Sequence, residues 1–380
     1  MTIVRKKIFP ALFFFLFLLG YPGRTTTAQQ AEKPFKPFKD TLDNAFDISY
    51  YLYNLHGFLP LISPITEPAV GYGAVGAGLF FIPKKDKGDG RFRFPDIVGM
   101  GGGYTQNKTW FLGAGYFGFW KDDHIRYRGA GGYGDVKLEF YGVGDGFLAD
   151  HPVSFNIQVF GFVQQAIFRL GESHFLLGGK YIYTHTNVTG NILPWADPRD
   201  IELNNSGIGI VGEFENYDNI LSPEKGFRIN LTYNQYLEAL GSDRNYGRVT
   251  TFVHMYQPLF DHHWIPGLRL EYQMATGDPP FYAYPFLYLR GVPAMRYQGH
   301  YTFLAETEQL VMITRRWGVT GFGGYGQTFN KESEGTTAWN AGGGFRYLIA
   351  RLLNMKMGID VARGPEKWAV YIVVGSAWLR

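Results

Sequence analysis

Hydrophobic and polar residues alternate along this chain with a period of two. Phe227, Ile229, Leu231 and Tyr233 fall on one face of an extended segment, and Arg228, Asn230, Thr232 and Asn234 fall on the other. Leu268 to Met274 repeats the arrangement, with Leu268, Leu270, Tyr272 and Met274 set against Arg269, Glu271 and Gln273. An apolar face backed by charges and amides fits a wall with lipid on one side and a wet lumen on the other. A soluble sandwich would alternate as well. The pattern predicts sixteen strands near 68–82, 96–106, 109–120, 125–133, 136–143, 153–170, 173–186, 206–216, 226–238, 246–260, 264–276, 300–315, 317–330, 337–349, 354–363 and 367–378. Their connections tend to alternate in length. Those at 83–95, 187–205 and 277–299 are long, and those at 107–108, 171–172 and 261–263 are short, while the short 364–366 breaks the rule. Long outer loops, short periplasmic turns and an even strand count give an all-β transmembrane antiparallel barrel over 68–380 with both termini periplasmic.

The ends of the chain favour the barrel over the sandwich. Arg5, Lys6 and Lys7 precede the apolar run Ile8 to Leu19, and Thr26-Thr27-Ala28 supplies small residues, so 1–28 reads as a signal peptide. The run falls short of the ~20 apolar residues of a membrane helix, although an uncleaved anchor is the competing reading. Residues 29–67 read as a periplasmic linker. Within it, Leu42, Phe46, Tyr50, Tyr53 and Leu55 lie roughly on one side of a possible short amphipathic helix. The last strand ends in an aromatic, Trp378, and is similar to the C-terminal signal read by outer-membrane assembly machinery, except that Leu379 and Arg380 follow it.

Composition narrows the choice further. Aromatics make up 18% of the chain and there are 50 glycines, which suits aromatic girdles and crowded strands better than an ordinary soluble enzyme. There is no cysteine, and a net charge of +3 carries no nucleic-acid signal. No Gly-x-Ser-x-Gly elbow is present, and the adjacent His262-His263 lacks the spacing of a helical metal site. The expectation is therefore no enzyme, cofactor or metal, although a wall-borne Ser/His phospholipase site would leave little local trace.

Several segments carry a family resemblance. Tyr288-Leu-Arg-Gly-Val-Pro-Ala-Met-Arg-Tyr-Gln-Gly299 lies in a long loop five strands from the end. Asn216 to Gly226 forms an Asp/Asn-rich turn, and Phe140 to Gly144 reads Phe-Tyr-Gly-Val-Gly. Gly342 to Arg346 is followed by Gly358-Ile-Asp360. In this order the chain resembles the BamA/TamA superfamily (bacterial surface antigen barrels), and Glu67 to Gly73 is similar to its short members without accessory domains. Residues 29–67 leave no room for the periplasmic POTRA modules of members that insert proteins. The resemblance implies that Arg290, beside Gly291, is drawn into the lumen and held by one or more of Glu306, Glu308 and Asp360. The family often has a further acid on the next strand, but Phe322 to Gly326 has none, and a solvated loop arginine is the alternative. Alternation also turns Glu213, Glu215, Arg228, Arg269 and Glu271 inward, where they either conduct ions or solvate the interior.

The resemblance further implies a lateral seam between first and last strands, here read at Gly71, Gly73, Gly76, Gly78 and Gly375. Those glycines either loosen the seam or make room for neighbouring aromatics. Implied partners are outer-membrane lipids and lipopolysaccharide, the assembly machinery, and a periplasmic protein standing in for POTRA modules. Two functions remain open, movement of protein or lipid through the seam and a passive pore or structural barrel.

Overall fold

A computed structural model describes residues 38–54, 58–66, 69–84, 93–144, 146–192, 194, 197–330 and 335–378. The signal peptide and the first part of the linker lie outside the described residues. Sixteen strands form one antiparallel sheet in chain order. They are β1 (Phe58–Ile65), β2 (Gly73–Ile82), β3 (Asp96–Thr105), β4 (Trp110–Trp120), β5 (Ile125–Phe140), β6 (Val153–Arg169), β7 (Phe175–Gly190) and β8 (Glu202–Glu215). The second half comprises β9 (Gly226–Tyr236), β10 (Tyr246–Tyr256), β11 (Trp264–Gly277), β12 (Tyr301–Met312), β13 (Trp317–Phe329), β14 (Thr337–Ala350), β15 (Met355–Arg363) and β16 (Trp368–Val374). β1 and β16 come side by side, which makes the sheet a nearly closed barrel.

The alternation holds in three dimensions. On β9, Arg228, Asn230, Thr232 and Asn234 are buried while Ile229, Leu231 and Tyr233 are exposed. On β11, Arg269, Glu271 and Gln273 turn inward. Exposed tryptophans stand at strand ends, with Trp110 and Trp120 bounding β4, Trp317 opening β13 and Trp368 opening β16. That is where an aromatic girdle belongs.

Two departures from the sequence expectation cancel in the strand count. Residues 125–140 form one strand of 16 residues, not two. The Gly134-Asp135 pair has the composition of a turn, yet it stays in the ladder opposite Phe111 and Trp110. Asp135 is met there by the Gln158 amide at 3.0 Å on an exposed surface. The first strand, in turn, is β1, which lies inside the stretch read as linker. Pro60 and Pro64 hid it, because proline cannot donate to a ladder and argues against a strand unless it sits on an edge.

Starting one strand earlier reverses the side of the first connections. β2 and β3 are joined at the end where β1 begins and β16 stops, and 107–108 lies at the opposite end. From β6 onward the expected alternation is restored. The expected helix contracts to α1 (Ser49–Asn54), packed through Ile48 and Leu52 against Phe81, Leu353 and Met355.

Candidate functional site: the lumenal latch and the seam

The long connection between β11 and β12 folds back along the inner wall. Phe286 bridges Gln298, and Leu287 N–H donates to Tyr297 O at 3.0 Å, so the loop returns on itself as a narrow hairpin. Leu287, Leu289, Val292 and Tyr297 anchor it in a buried cluster with Leu304 and Ala338. Its tip presents Arg290. The guanidinium donates to Glu306 (3.2 and 3.0 Å), Glu308 (2.8 Å) and Asp360 (2.7 Å). All three acids named from the sequence therefore meet this arginine.

Gly291, the next residue, has φ +82°, and a Cβ there would lie 2.8 Å from Gly364 N. Only glycine combines that conformation with so close an approach. Its N–H donates to the Tyr371 hydroxyl of β16 at 2.8 Å. The latch thus touches β12, β15 and β16 at once.

Several members of this cluster were not marked as its partners in the sequence. The strand that lacks an acid supplies Phe322 instead, with the Arg290 guanidinium 3.4 Å from the ring centroid, an arrangement in which the quadrupole of the ring stands in for a charge. Glu306 also accepts from Arg269 (3.2 Å), Asn340 (3.0 Å) and the Trp378 indole (2.7 Å). Arg346 pairs with Asp360 at 2.5 Å, and Arg269 with Glu271 at 2.6 Å. Three guanidiniums thus face four carboxylates. The inward parity of Asn340 and Arg346 on β14 was the available signal. Trp378 was marked only as a terminal aromatic, and nothing in a linear pattern placed it in this cluster.

Trp378 is not the last residue of a strand. β16 ends at Val374, and the chain turns inward at Gly375, where φ is +79° and a Cβ would lie 2.5 Å from Leu221 O. Ser376 bonds to the Tyr256 hydroxyl at 2.8 Å, and Trp378 packs on Tyr256 and His254 inside the barrel. Its indole is held by the carboxylate that also holds Arg290.

The seam also differs from its predicted place. Gly73, Gly76 and Gly78 lie on β2, one strand in from the edge, and Gly71 lies in the preceding turn. A Cβ on Gly78 would lie 2.9 Å from the Phe58 ring of β1, so this glycine makes room for a neighbouring aromatic. Gly375 lies beyond the end of β16. The sheet edges are β1 and β16, and no ladder joins them among the described residues. The recorded contact is Thr66, whose hydroxyl accepts from Val370 N at 2.8 Å and donates to Val370 O. Pro60 and Pro64 also deprive β1 of two backbone donors.

A third cluster lies at the end where β1 begins and β16 stops. Asp40, Asp43 and Asp47 of the N-terminal strap surround Arg316 of the β12–β13 turn, with Asp47 at 2.6 Å and Asp43 at 2.7 Å. Arg351 also bonds Asp40. The Arg351 hydrogen bond holds the Asp40 carboxyl down at about 2, and Arg316 lowers Asp43 in the same way. On the opposite lumen wall, Glu213 and Glu215 pair with Arg126 and Arg228.

No family model matches the chain, and no curated protein matches it in sequence. Solved structures do. BamA from Haemophilus ducreyi lacking POTRA domains 1–3 superimposes with a TM-score of 0.56 at 13% identity, over 84% of this chain and 70% of that one. CdiB from Escherichia coli gives 0.57 at 11% identity, over 83% and 61%, and CdiB from Acinetobacter baumannii gives 0.50 at 10%, over 83% and 59%. The fold is that of the BamA and CdiB barrels. This chain spans about three fifths of the length of the CdiB chains it matches.

Proposed function

We propose that this protein is an integral bacterial outer-membrane barrel, with both termini periplasmic, that moves or inserts protein or lipid through a lateral seam between β1 and β16. The observation that carries this reading is the seam itself, since every other neighbouring strand pair has a ladder, whereas among the described residues β1 and β16 share none and Thr66, just past β1, bonds to Val370. The membrane setting is supported by the exposed apolar residues outside and the charges inside. A continuous apolar surface of this extent is unfavourable in water and fits hydrocarbon. Lipids and lipopolysaccharide would cover that surface. Cargo delivery would fall to a periplasmic partner at the turn end, and insertion of the barrel itself to the assembly machinery. We assign the chain no catalytic role.

A second reading, a static barrel, is favoured by the filled interior, where loop, strap and C-terminal tail each occupy lumen or mouth. The two separate by crosslinking. With no native cysteine, Ser63→Cys and Val373→Cys, with neighbouring positions scanned, report the seam in native outer membranes. A moving seam gives incomplete locking in any one register, and locking abolishes the cellular phenotype of the gene. Quantitative locking in one register without consequence would assign a static barrel.

A further inference from the structure

We propose that the lumen contains a binding seat for a phosphate-class oxyanion at Arg248, which ends a wall row that also carries Lys180 and Arg128. This assignment does not rest on the seam. The register places these residues in one row across the wall. Arg128 on β5 is opposite Gln165 on β6, which is opposite Lys180 on β7. The row continues through Gly209 and Asn234 to Arg248 on β10. Strands lie ~4.8 Å apart, so Lys180 stands about 14 Å and Arg128 about 24 Å along the wall from Arg248. Its long side chains all point into the lumen, on the same face as Arg126 and Tyr246.

What sets the row apart is the missing acid. Elsewhere the lumenal arginines are paired, Arg126 and Arg228 with Glu213 and Glu215, Arg269 with Glu271 and Glu306, and Arg290 and Arg346 with Asp360. Among the described residues Arg128, Lys180 and Arg248 have no carboxylate partner. Arg128 lies over the Phe117 ring at 5.8 Å. Arg248 gives one hydrogen bond to Gln273, at 3.0 Å, and its Nε is buried without a partner. The carboxylates beside Arg128, Glu213 and Glu215, are already engaged by Arg126 and Arg228. Three like charges in one row of an otherwise balanced interior cost stability, and such local inconsistencies mark functional sites.

A second observation is independent of the row. A cavity of about 440 Å³ opens beside Arg248, lined also by Thr250, Arg269, Gln273, Tyr288 and Trp378. Arg269 is 3% exposed, and its Nε has no partner either. The volume lies in the range of small-ligand sites, roughly 300–1,000 Å³. Guanidinium donors suit the paired oxygens of phosphate, and the Thr250 hydroxyl adds a neutral donor. Glu271 and Glu306, which already balance Arg269, set the acidic boundary, so the anion would sit on the Arg248 side of the cavity.

The test is calorimetric titration of the full-length barrel in detergent with inorganic pyrophosphate at constant ionic strength. Saturable binding is expected, weakened about tenfold by Arg248→Gln and about two- to fivefold by Lys180→Gln or Arg128→Gln. Without ligand these variants should keep the heat-dependent gel mobility of the folded barrel, since each removes a like charge from the row. Competition by dihexanoylphosphatidic acid would assign the seat to a lipid phosphate, and its failure to compete would assign a soluble one. Absence of saturable binding up to 10 mM pyrophosphate (about 2.7 kcal/mol of binding free energy), or unchanged affinity in Arg248→Gln and Lys180→Gln, would overturn the proposal.

Discussion

The β5–β6 pair and the β1–β16 pair are neighbours in the same barrel but differ greatly in how they are joined. β5 and β6 exchange a ladder along the whole length from Ile125–Phe168 to Phe140–Val153. β1 and β16 are short, β1 contains Pro60 and Pro64, and no ladder joins the two strands among the described residues, where Thr66 bonds to Val370. Opening free energies in one protein run from near zero to the global value, and a ladder and a lone hydroxyl lie at opposite ends of that range. The weak side has support from within. The Arg290 loop reaches β15 through Asp360 and β16 through Gly291 and Tyr371, and the C-terminal tail returns to the same Glu306. Interior polar contacts there stand in for the backbone bonds that the edge lacks.

The contrast can be broken from the latch. Arg290→Ala leaves Glu306, Glu308 and Asp360 short of a cation in a buried site, where loss of one ion-pair partner costs about 3–5 kcal/mol. The heat-dependent gel shift should move to lower temperature, and hydrogen exchange should rise on β15 and β16 before β5 and β6. Arg290→Lys keeps the charge but loses the fork of donors and should fall between the two. Trp378→Phe removes one hydrogen bond to a charged group, worth about 1.5–3 kcal/mol, and should loosen the tail while leaving the latch in place. Thr66→Val keeps the shape of the side chain and deletes the hydroxyl. A loss of about 1 kcal/mol, confined to the seam, should appear as faster exchange at the Val370 amide.

The smallest effect concerns the strap at the other mouth. Asp40 and Asp43 are held low when folded, Asp40 at about 2 against an ordinary value of 3.8. A depressed carboxylate contributes stability that is complete above the unfolded value and is lost as pH falls through the folded one. A spin label at Leu42→Cys should therefore stay immobile at neutral pH and gain mobility between about pH 4 and pH 2. Asp40→Asn should shift that release to higher pH.

The sequence revealed the wall better than its ends. Arg228 to Asn234 and Arg269 to Gln273 carry a period that a two-faced strand satisfies, and the chain ends and composition then favoured a lumen and a lipid-facing exterior over a sandwich. The three latch acids were legible through the same parity. β1 was not, because Pro60 and Pro64 remove the donor pattern by which a strand is recognised, and they are tolerated here because the strand is an edge. The split of β5 came from Gly134-Asp135, a turn-like pair that an exposed stretch of ladder accommodates. The pairing of Trp378 with Glu306 depends on a chain reversal at Gly375, and no local pattern encodes that contact.

The central claim is that the β1–β16 seam opens. The direct measurement is disulfide formation between cysteines at Ser63 and Val373, with neighbouring positions scanned, in native outer membranes, together with the cellular phenotype of the locked protein. The account predicts that no register locks completely and that enforced locking abolishes function. Complete locking in a single register with function intact would contradict it.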